Sequence, residues 1–336
     1  MGTDKFFSVS MPVHNAEKYL DETIESVLNQ DYDNFELVLV NDASTDGSPA
    51  ICEKWQGRYP GKIRTVDNDV KGSLCARRTC IRESRGEYLY IMDADDTISS
   101  FGAMKKWNEA IQETGCDLLI FNETEKGKTT FRGTPFEEGK PIEGKNRAIL
   151  YEQFAVIGEL NVLWDKVFHR ELVDSSEEIY RENAFLSHGT DFFQSIAIIS
   201  AAKKAVYLNE KLYEYRVTPG SITHRYNPNM LRSAEALIRR RNQLAQTWDP
   251  QPEDLEEKLK ASALNEFCTV INKVRKADLP AEEKEKIYQD ISRNPLFLEA
   301  LGQKGRLPLK KQEIVSLLAR GQIKLLNTLL SVSGKE

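Results

Sequence analysis

Short apolar runs alternate with stretches of helical periodicity along the first 121 residues. The first run, residues 6–11, is followed by Leu20, Ile24, Val27 and Leu28, which recur on one face of a helix. Further strands are predicted over 35–40, 63–66, 87–92 and 117–121, with helices from Ser48 and over 73–85 and 101–113. Strands that alternate with helices predict an α/β fold, with a mostly parallel sheet and right-handed crossovers.

The alternation weakens after residue 121. Residues 122–144 are rich in Gly, Lys, Thr and Glu, which is typical of a hairpin or a mobile loop. Helix-like stretches near 145–156 and 188–202 and strand-like stretches over 205–208 and 212–217 follow. From residue 229 the pattern is helical, with a long amphipathic helix that starts at Pro252. We therefore expect one domain over 1–228, divided near residue 122, and a helical domain over 229–336.

Two of the predicted strands run directly into clusters of acids. The first acidic loop, residues 41–46, contains Asp42 and Asp46, and the second acidic loop, residues 93–96, contains Asp93, Asp95 and Asp96. Ligands of open parallel sheets bind beyond the carboxyl ends of the strands. Three neighbouring carboxylates repel one another unless a cation or hydrogen-bond donors neutralise them, and hard divalent cations prefer oxygen ligands. The second acidic loop therefore predicts a metal-bound phosphate ester.

Composition narrows the class of protein. The formal net charge of -6 argues against nucleic acid as a partner. No stretch reaches the roughly 20 apolar residues of a membrane span, and the first residues lack the plan of a signal peptide. Five cysteines without a C-x-x-C pair indicate reduced thiols, so we expect a cytoplasmic protein.

Four ordered blocks resemble family 2 glycosyltransferases of the GT-A fold. They are Ser8 to Asn15, Val40 to Ser48, Arg85 to Tyr88 and Met92 to Asp96, and the resemblance extends over about residues 6–225. It implies a nucleotide-sugar half over about 1–122 and an acceptor half over 123–228. The helical region 229–336 lies outside it.

The resemblance implies a role for the second acidic loop. Asp93-Ala94-Asp95 matches the D-x-D motif, in which the first carboxylate faces the nucleotide ribose and the second binds the divalent ion on the diphosphate. Mn²⁺ or Mg²⁺ neutralises the negative charge that develops on the departing nucleoside diphosphate. His224 is a further candidate metal ligand. Acids that cap the following helix are the alternative, and capping accounts for one of the three carboxylates.

The nucleotide base is expected near the first acidic loop. By the same match Asp42 accepts the imide N–H of uracil, whereas Asp46 is interpreted as a turn residue. Residues Pro12, Val13, His14 and Asn15 follow the first strand and are predicted to border the base, with His14 either stacked on it or solvated.

Two neighbouring arginines receive different predictions. Arg77 matches the arginine of the family's Ala-Arg-Asn block and is predicted to contact the base or the diphosphate. Arg78 stands where the family has asparagine, and Cys80 where it has glycine. For Arg78 we favour a solvated helix face.

Asp191 is the candidate catalytic base. It occupies the position of the aspartate in the family's Glu-Asp block, with Thr190 in place of the glutamate. An inverting transfer requires one carboxylate to take the proton of the acceptor hydroxyl while that oxygen attacks the anomeric carbon. The alternative for Asp191 is an N-cap of the 191–201 helix. Trp164 is predicted either to stack on a sugar or to lie in the core.

The resemblance thus implies an inverting, metal-dependent transfer from a UDP-sugar to a saccharide or lipid-linked saccharide acceptor. A catalytically silent relative that binds nucleotide as a scaffold is the alternative. Seven Lys or Arg against two Glu in 301–336, interleaved with leucines, predict peripheral contact with the inner face of a membrane. The competing interpretation packs these leucines on the preceding helices.

Overall fold

The computed structural model describes residues 3–125, 128–129, 135–218 and 226–332. The chain divides into two compact units. The sheet unit comprises Met1–Phe185, Thr190–Pro219 and Thr247–Pro250, and the helical unit comprises Leu186–Gly189, Gly220–Gln246 and Gln251–Glu336.

The sheet unit contains ten strands and seven α-helices within the described residues. The strands are β1 (Phe7–Val13), β2 (Phe35–Asn41), β3 (Ile63–Asp67), β4 (Tyr88–Ile91), β5 (Thr97–Ile98), β6 (Leu118–Glu125), β7 (Lys128–Thr129), β8 (Pro141–Glu143), β9 (Lys166–His169) and β10 (Lys204–Tyr215). The helices are α1 (Leu20–Leu28), α2 (Ser48–Arg58), α3 (Ser73–Glu83), α4 (Ala103–Thr114), α5 (Arg147–Glu152), α6 (Glu177–Glu182) and α7 (Thr190–Ala201). A π-helical segment, Gln153–Ile157, follows α5.

The strand order is β3-β2-β1-β4-β9-β6-β10-β5. β3, β2, β1 and β4 are mutually parallel, and β9 lies between β4 and β6, antiparallel to both. The α/β class with a GT-A sheet and a C-terminal helical region is confirmed. The antiparallel strand β9 was not predicted, because its four residues are too few to show a clear strand pattern in the sequence.

The register of the parallel strands brings the two acidic loops to the same edge of the sheet. Val13 of β1 pairs with Asn41 of β2, and Ser10 of β1 pairs with Ile91 of β4. β4 therefore ends three positions before β1 and β2 in the register, and each acidic loop follows its strand at this same edge of the sheet.

The core of the sheet unit explains why these elements form. α1 buries Leu20, Ile24 and Val27, at the spacing of one helix face. Trp107 of α4 is fully buried, and its ring lies 4.7 Å from that of Tyr90 and 5.6 Å from that of Phe121. Large aromatic side chains in contact supply much of the apolar area that such a core removes from water.

Two predicted elements change shape in the structure. The stretches 205–208 and 212–217 form one strand, β10, whose pairing with β6 is irregular between Tyr207 and Tyr213. The polar residues between the two apolar stretches lie at this irregularity, and the strand continues through it. β7 pairs antiparallel with the end of β6, as a hairpin in 122–144 requires.

The helical unit contains six α-helices within the described residues. They are α8 (Met230–Ala245), α9 (Leu255–Lys276), α10 (Ala281–Ser292), α11 (Pro295–Ala300), α12 (Leu309–Ala319) and α13 (Ile323–Val332). Phe267 of α9 lies edge-on to Phe297 of α11, with ring centroids 5.6 Å apart, inside a core that also includes Leu318 and Leu326. The domain boundary expected at residue 229 stays a prediction.

The leucines of the basic C-terminal segment lie mostly inside the helical unit. Leu318 and Leu326 are fully buried, Leu330 is 5% exposed, and Leu325 is 56% exposed. Packing on the preceding helices, the competing interpretation, therefore describes most of these leucines. No helix among the described residues has both the length and the apolar character needed to cross a membrane.

All five cysteines are buried and free, in agreement with the predicted reduced state. Burial raises the pKa of Cys116 and of Cys268 to about 11. These thiols therefore stay protonated and serve as small apolar core residues.

Candidate active site

The first acidic loop is held together by hydrogen bonds. Asp42 is 5% exposed, and its carboxylate accepts hydrogen bonds from Asn68 Nδ2 (2.7 Å) and from the Gly72 N–H (3.0 and 3.1 Å to the two oxygens). Gly72 has a φ of 131°, which favours glycine, and it immediately precedes α3. Asp42 therefore fixes the start of α3, and its uracil contact stays a prediction.

Asp46 has the turn role that the sequence indicates. Its carboxylate accepts hydrogen bonds from the Ser48 N–H (3.0 Å) and from the Glu17 N–H (3.1 Å). These donors lower the pKa of Asp46, although burial acts in the opposite direction. Ser48 is not the N-cap that we predicted: α2 begins at Ser48, and its hydroxyl accepts from the Ala16 N–H.

The residues after β1 lie beside this loop. His14 Nδ1 is 2.7 Å from the Asp42 carbonyl oxygen, and the Asn15 side chain accepts from the Thr45 N–H (2.8 Å). His14 and Asn15 are exposed and Pro12 is half-buried, whereas the Val13 side chain is fully buried in the core. Packing has thus taken the Val13 side chain away from the expected base pocket.

The second acidic loop has a different environment. The Asp96 carboxylate accepts hydrogen bonds from Tyr213 Oη (2.5 Å) and the Arg216 N–H (2.6 Å), and Asp95 Oδ2 accepts one from Thr218 Oγ1 (3.3 Å). Burial, with Asp93 as the next cause, raises the pKa of Asp95 and raises that of Asp96 to about 8. Burial therefore makes the ionised form of both carboxylates costly, despite these donors.

Ala94, the middle residue of the motif, anchors this loop to α1. Its side chain is 6% exposed, and its carbonyl oxygen accepts a hydrogen bond from Thr23 Oγ1 (3.1 Å). The two flanking aspartates are consequently held in fixed positions.

Arg77 joins the second acidic loop to the candidate base. Its Nη2 donates to Asp93 Oδ1 (2.9 Å), and its Nη1 lies 2.6 Å from Asp191 Oδ1 and 2.8 Å from Thr190 Oγ1. Burial acts to lower the pKa of Arg77, but Asp191 and Asp93 together raise it above its ordinary value. The structure thus brings Asp93, Arg77 and Asp191 together.

Asp191 lies in the first turn of α7, which begins at Thr190, so the N-cap alternative is wrong. Burial raises the pKa of Asp191, while Arg77 lowers it, as does Lys166 to a smaller extent. Lys166 is fully buried and ion-paired with Asp165. The Asp191 carboxylate is kept in place by the Arg77 guanidinium.

The solvated helix face predicted for Arg78 is wrong. Arg78 is 7% exposed, its Nε lies 2.7 Å from Glu177 Oε1, and its guanidinium lies 4.7 Å from the centre of the Tyr180 ring. It also donates to the Asp174 carbonyl oxygen. Its partners are about a hundred positions away in the chain, so no local sequence pattern identifies them. Cys80 is fully buried against Val38, Val40 and Ala76.

Trp164 is a core residue. It is 7% exposed, and its ring stacks on that of Tyr213 with centroids 4.8 Å apart. Tyr213 and Thr218, which contact the second acidic loop, were not among the predicted site residues. They follow Asp96 and Asp95 by more than a hundred positions, which explains why sequence spacing does not reveal them. His224 lies outside the described residues.

The carboxylates of the site fit a divalent cation whose remaining coordination positions are filled by a bound ligand and water. Within the described residues no three or more His, Cys, Asp or Glu converge on one point. Mg²⁺ is usually held by one or two carboxylates together with substrate phosphates and water. Asp95, whose pKa is raised by burial and by Asp93, supplies such a carboxylate.

Residues 8–170 match the family model described as glycosyl transferase family 2. This match places residues 8–170 in glycosyltransferase family 2. Among its relatives, the putative glycosyltransferase EpsH of Bacillus subtilis is 26% identical over 93% of this chain and 91% of that protein. The poly(ribitol-phosphate) beta-N-acetylglucosaminyltransferase TarS of Staphylococcus aureus is 28% identical over 62% of this chain and 35% of its own length.

Solved structures support the fold assignment of this glycosyltransferase. TarS residues 1–349 in complex with UDP-GlcNAc align with 98% of this chain and 92% of that chain, with a TM-score of 0.72 and 19% identity. The mannosyltransferase PcManGT of Pyrobaculum calidifontis, in complex with GDP-Man and Mn²⁺, aligns with a TM-score of 0.50 and 17% identity over 98% of this chain and 86% of that chain.

Proposed function

We propose that this glycosyltransferase transfers a sugar from a UDP-sugar to a saccharide or lipid-linked saccharide, with inversion and with a divalent metal at the second acidic loop. The observation that carries the proposal is the junction at Arg77, whose guanidinium binds both Asp93 of the D-x-D motif and the half-buried carboxylate of Asp191. Donor binding and acceptor activation need two such carboxylates in one cleft.

Asp93 and Asp95 have the donor-side role in this proposal. Asp95 would hold Mn²⁺ or Mg²⁺, and the bound ion would neutralise charge on the leaving diphosphate. The raised pKa of Asp95 supports this assignment, because a bound cation favours the ionised carboxylate that burial disfavours. The uracil contact of Asp42 and the borders of the base pocket at Pro12, His14 and Asn15 belong to the same proposal, as does His224 as a further ligand.

Asp191 has the acceptor-side role. Its carboxylate takes the proton of the acceptor hydroxyl as that oxygen attacks the anomeric carbon from the face opposite the diphosphate. Thr190, in the place of the family's glutamate, is neutral, so it adds no third negative charge beside Arg77. The raised pKa of Asp191 makes it a stronger base than an exposed aspartate.

The relatives suggest the class of acceptor. TarS is named for poly(ribitol-phosphate), and GgaB of Bacillus subtilis, 30% identical over 63% of this chain and 23% of its own length, is named as a minor teichoic acid biosynthesis protein. We infer a cell-surface polymer or its lipid-linked precursor as acceptor, reached from the cytoplasmic side. Peripheral membrane contact through 301–336 remains a prediction.

UDP release, measured over a panel of UDP-sugars with and without EDTA, tests the proposed activity. We expect release from at least one donor, its loss in EDTA, and a decrease of about 10²- to 10⁴-fold in the Asp191→Asn variant, since a general base contributes that much. Mn²⁺-dependent UDP binding without hydrolysis or transfer for any donor would favour the alternative, a catalytically silent scaffold.

A further inference from the structure

Arg77 is held at the centre of the candidate site by acceptors from two separate segments. One arm of its guanidinium binds Asp93 after β4, and the other binds Asp191 and Thr190 at the start of α7. Only 9% of the Arg77 side chain is exposed. Both terminal nitrogens are thus engaged by the protein itself.

The chemistry of this junction requires arginine. A guanidinium is planar, always charged, and presents its N–H groups in a fixed fork, so that it can bind two carboxylates in a defined relative position. Lysine carries the same charge on a single flexible point. Without a cation between them, Asp93 and Asp191 would repel each other in a poorly solvated site.

We propose that Arg77 is a positioning residue that fixes the Asp191 carboxylate relative to the second acidic loop. This inference rests on the proposed function, in which Asp191 is the base. The hydrogen bond from Nη2 to Asp93 anchors the guanidinium, and the contact of Nη1 with Asp191 fixes the position of the carboxylate that accepts the proton. The resemblance implies a contact between Arg77 and the nucleotide, whereas the geometry gives it a role in turnover.

Thr190 completes the arrangement. Its hydroxyl accepts from the same nitrogen of Arg77 that binds Asp191, and it lies 3.3 Å from Ser73 Oγ. As a neutral acceptor it orients the guanidinium without competing for its charge. The departure from the family's glutamate is therefore compatible with an active site.

The test measures kcat and UDP affinity separately in Arg77→Lys, with Arg78→Lys as the matched control. Arg78 is the adjacent residue of α3 and is also buried and ion-paired, but its partner is Glu177. We expect Arg77→Lys to lower kcat about 10²-fold, the cost of a misplacement of about 1 Å. The UDP affinity measured by calorimetry with Mn²⁺ should be unchanged, and Arg78→Lys should keep both values.

Two further variants cover the case in which Arg77→Lys fails to fold. Thr190→Val removes one acceptor and no charge, and should lower kcat by a smaller factor without altering UDP affinity. Millimolar guanidinium added to Arg77→Ala should restore part of its turnover, and should not do so in Asp191→Asn.

Where Arg77→Lys folds, its crystal structure gives a direct test. We expect the Asp191 carboxylate to have moved away from Asp93.

Wild-type kcat in Arg77→Lys, or a loss of UDP affinity that accounts for the whole decrease in kcat/KM, would overturn the inference. An unmoved Asp191 in the crystal structure would do the same. Failure of the proposed function has another signature: no UDP release by the wild type from any donor, or full turnover in Asp191→Asn. In that case the position of Asp191 in Arg77→Lys still decides whether Arg77 holds it.

Discussion

The two acidic loops follow parallel strands on either side of β1 and look alike in sequence, yet their carboxylates are in different environments. In the first, Asp42 and Asp46 accept hydrogen bonds from fixed donors, and the pKa of Asp46 is lowered. In the second, burial and mutual repulsion raise the pKa of Asp95 and Asp96. The acids are thus held by fixed donors in the first loop and have raised pKa values in the second, which is where we propose the cation.

The largest effect is expected from Asp95→Asn. Removal of this charge should lower UDP release about 10³-fold, as the loss of a group that stabilises transition-state charge does. Asp46→Asn is the matched control, because its carboxylate is already satisfied by the N–H groups of Ser48 and Glu17. Comparable losses of activity in the two variants would erase the distinction between the loops.

Gly86→Ala tests how the second acidic loop is positioned. A Cβ atom at Gly86 would lie 2.4 Å from the Ser8 backbone nitrogen and 2.8 Å from the Phe6 carbonyl oxygen, so β4 would be forced away from β1. We expect unfolding to become easier by about 3 kcal/mol or more, measured by urea denaturation. Gly57→Ala, in the exposed last turn of α2 with nothing within 4 Å of the added atom, should cost nothing.

The stabilisation of the folded protein by UDP and Mn²⁺ also distinguishes the two acidic loops. UDP with Mn²⁺ at about 100 times its dissociation constant should stabilise the wild type by about 2.7 kcal/mol in thermal unfolding. Asp95→Asn should lose the part of this stabilisation that Mn²⁺ contributes, whereas Asp46→Asn should retain it. Equal stabilisation of all three proteins would place the cation elsewhere.

The activity should also depend on pH through Asp191. The base acts only when it is deprotonated. Because burial raises the pKa of Asp191, kcat should begin to fall, as the pH is lowered, at a pH above the usual aspartate pKa of about 3.9. Initial rates of UDP release between pH 4 and 8 measure this limb. A rate that stays constant down to pH 4 would exclude Asp191 as the base.

The smallest effect concerns the first acidic loop itself. Asp46→Ala removes the acceptor for the Ser48 N–H at the start of α2 and should cost about 1 kcal/mol of stability, the usual net contribution of a hydrogen bond. Asp46→Asn keeps an acceptor oxygen and should cost less. Chemical denaturation of both variants, each with unchanged UDP release, measures the difference.

Most strands and helices of residues 6–121 and the position of both acidic loops could be predicted, because hydrophobic periodicity and turn chemistry are local, whereas the short strands β5, β8 and β9 were not predicted. The junction at Arg77 could not be predicted, since its three acceptors come from residues 93, 190 and 191. Arg78 was predicted wrongly for the same reason: its charge and burial are satisfied by Glu177 and Tyr180, which only the folded chain brings near α3.

Titration of the protein with UDP by calorimetry, in Mn²⁺ and in EDTA, tests the central claim most directly. The account predicts that Mn²⁺ tightens UDP binding to the wild type and that Asp95→Asn abolishes this gain while keeping the metal-independent affinity. Equal UDP affinity of the wild type in Mn²⁺ and in EDTA, or an unchanged Mn²⁺ effect in Asp95→Asn, would contradict it.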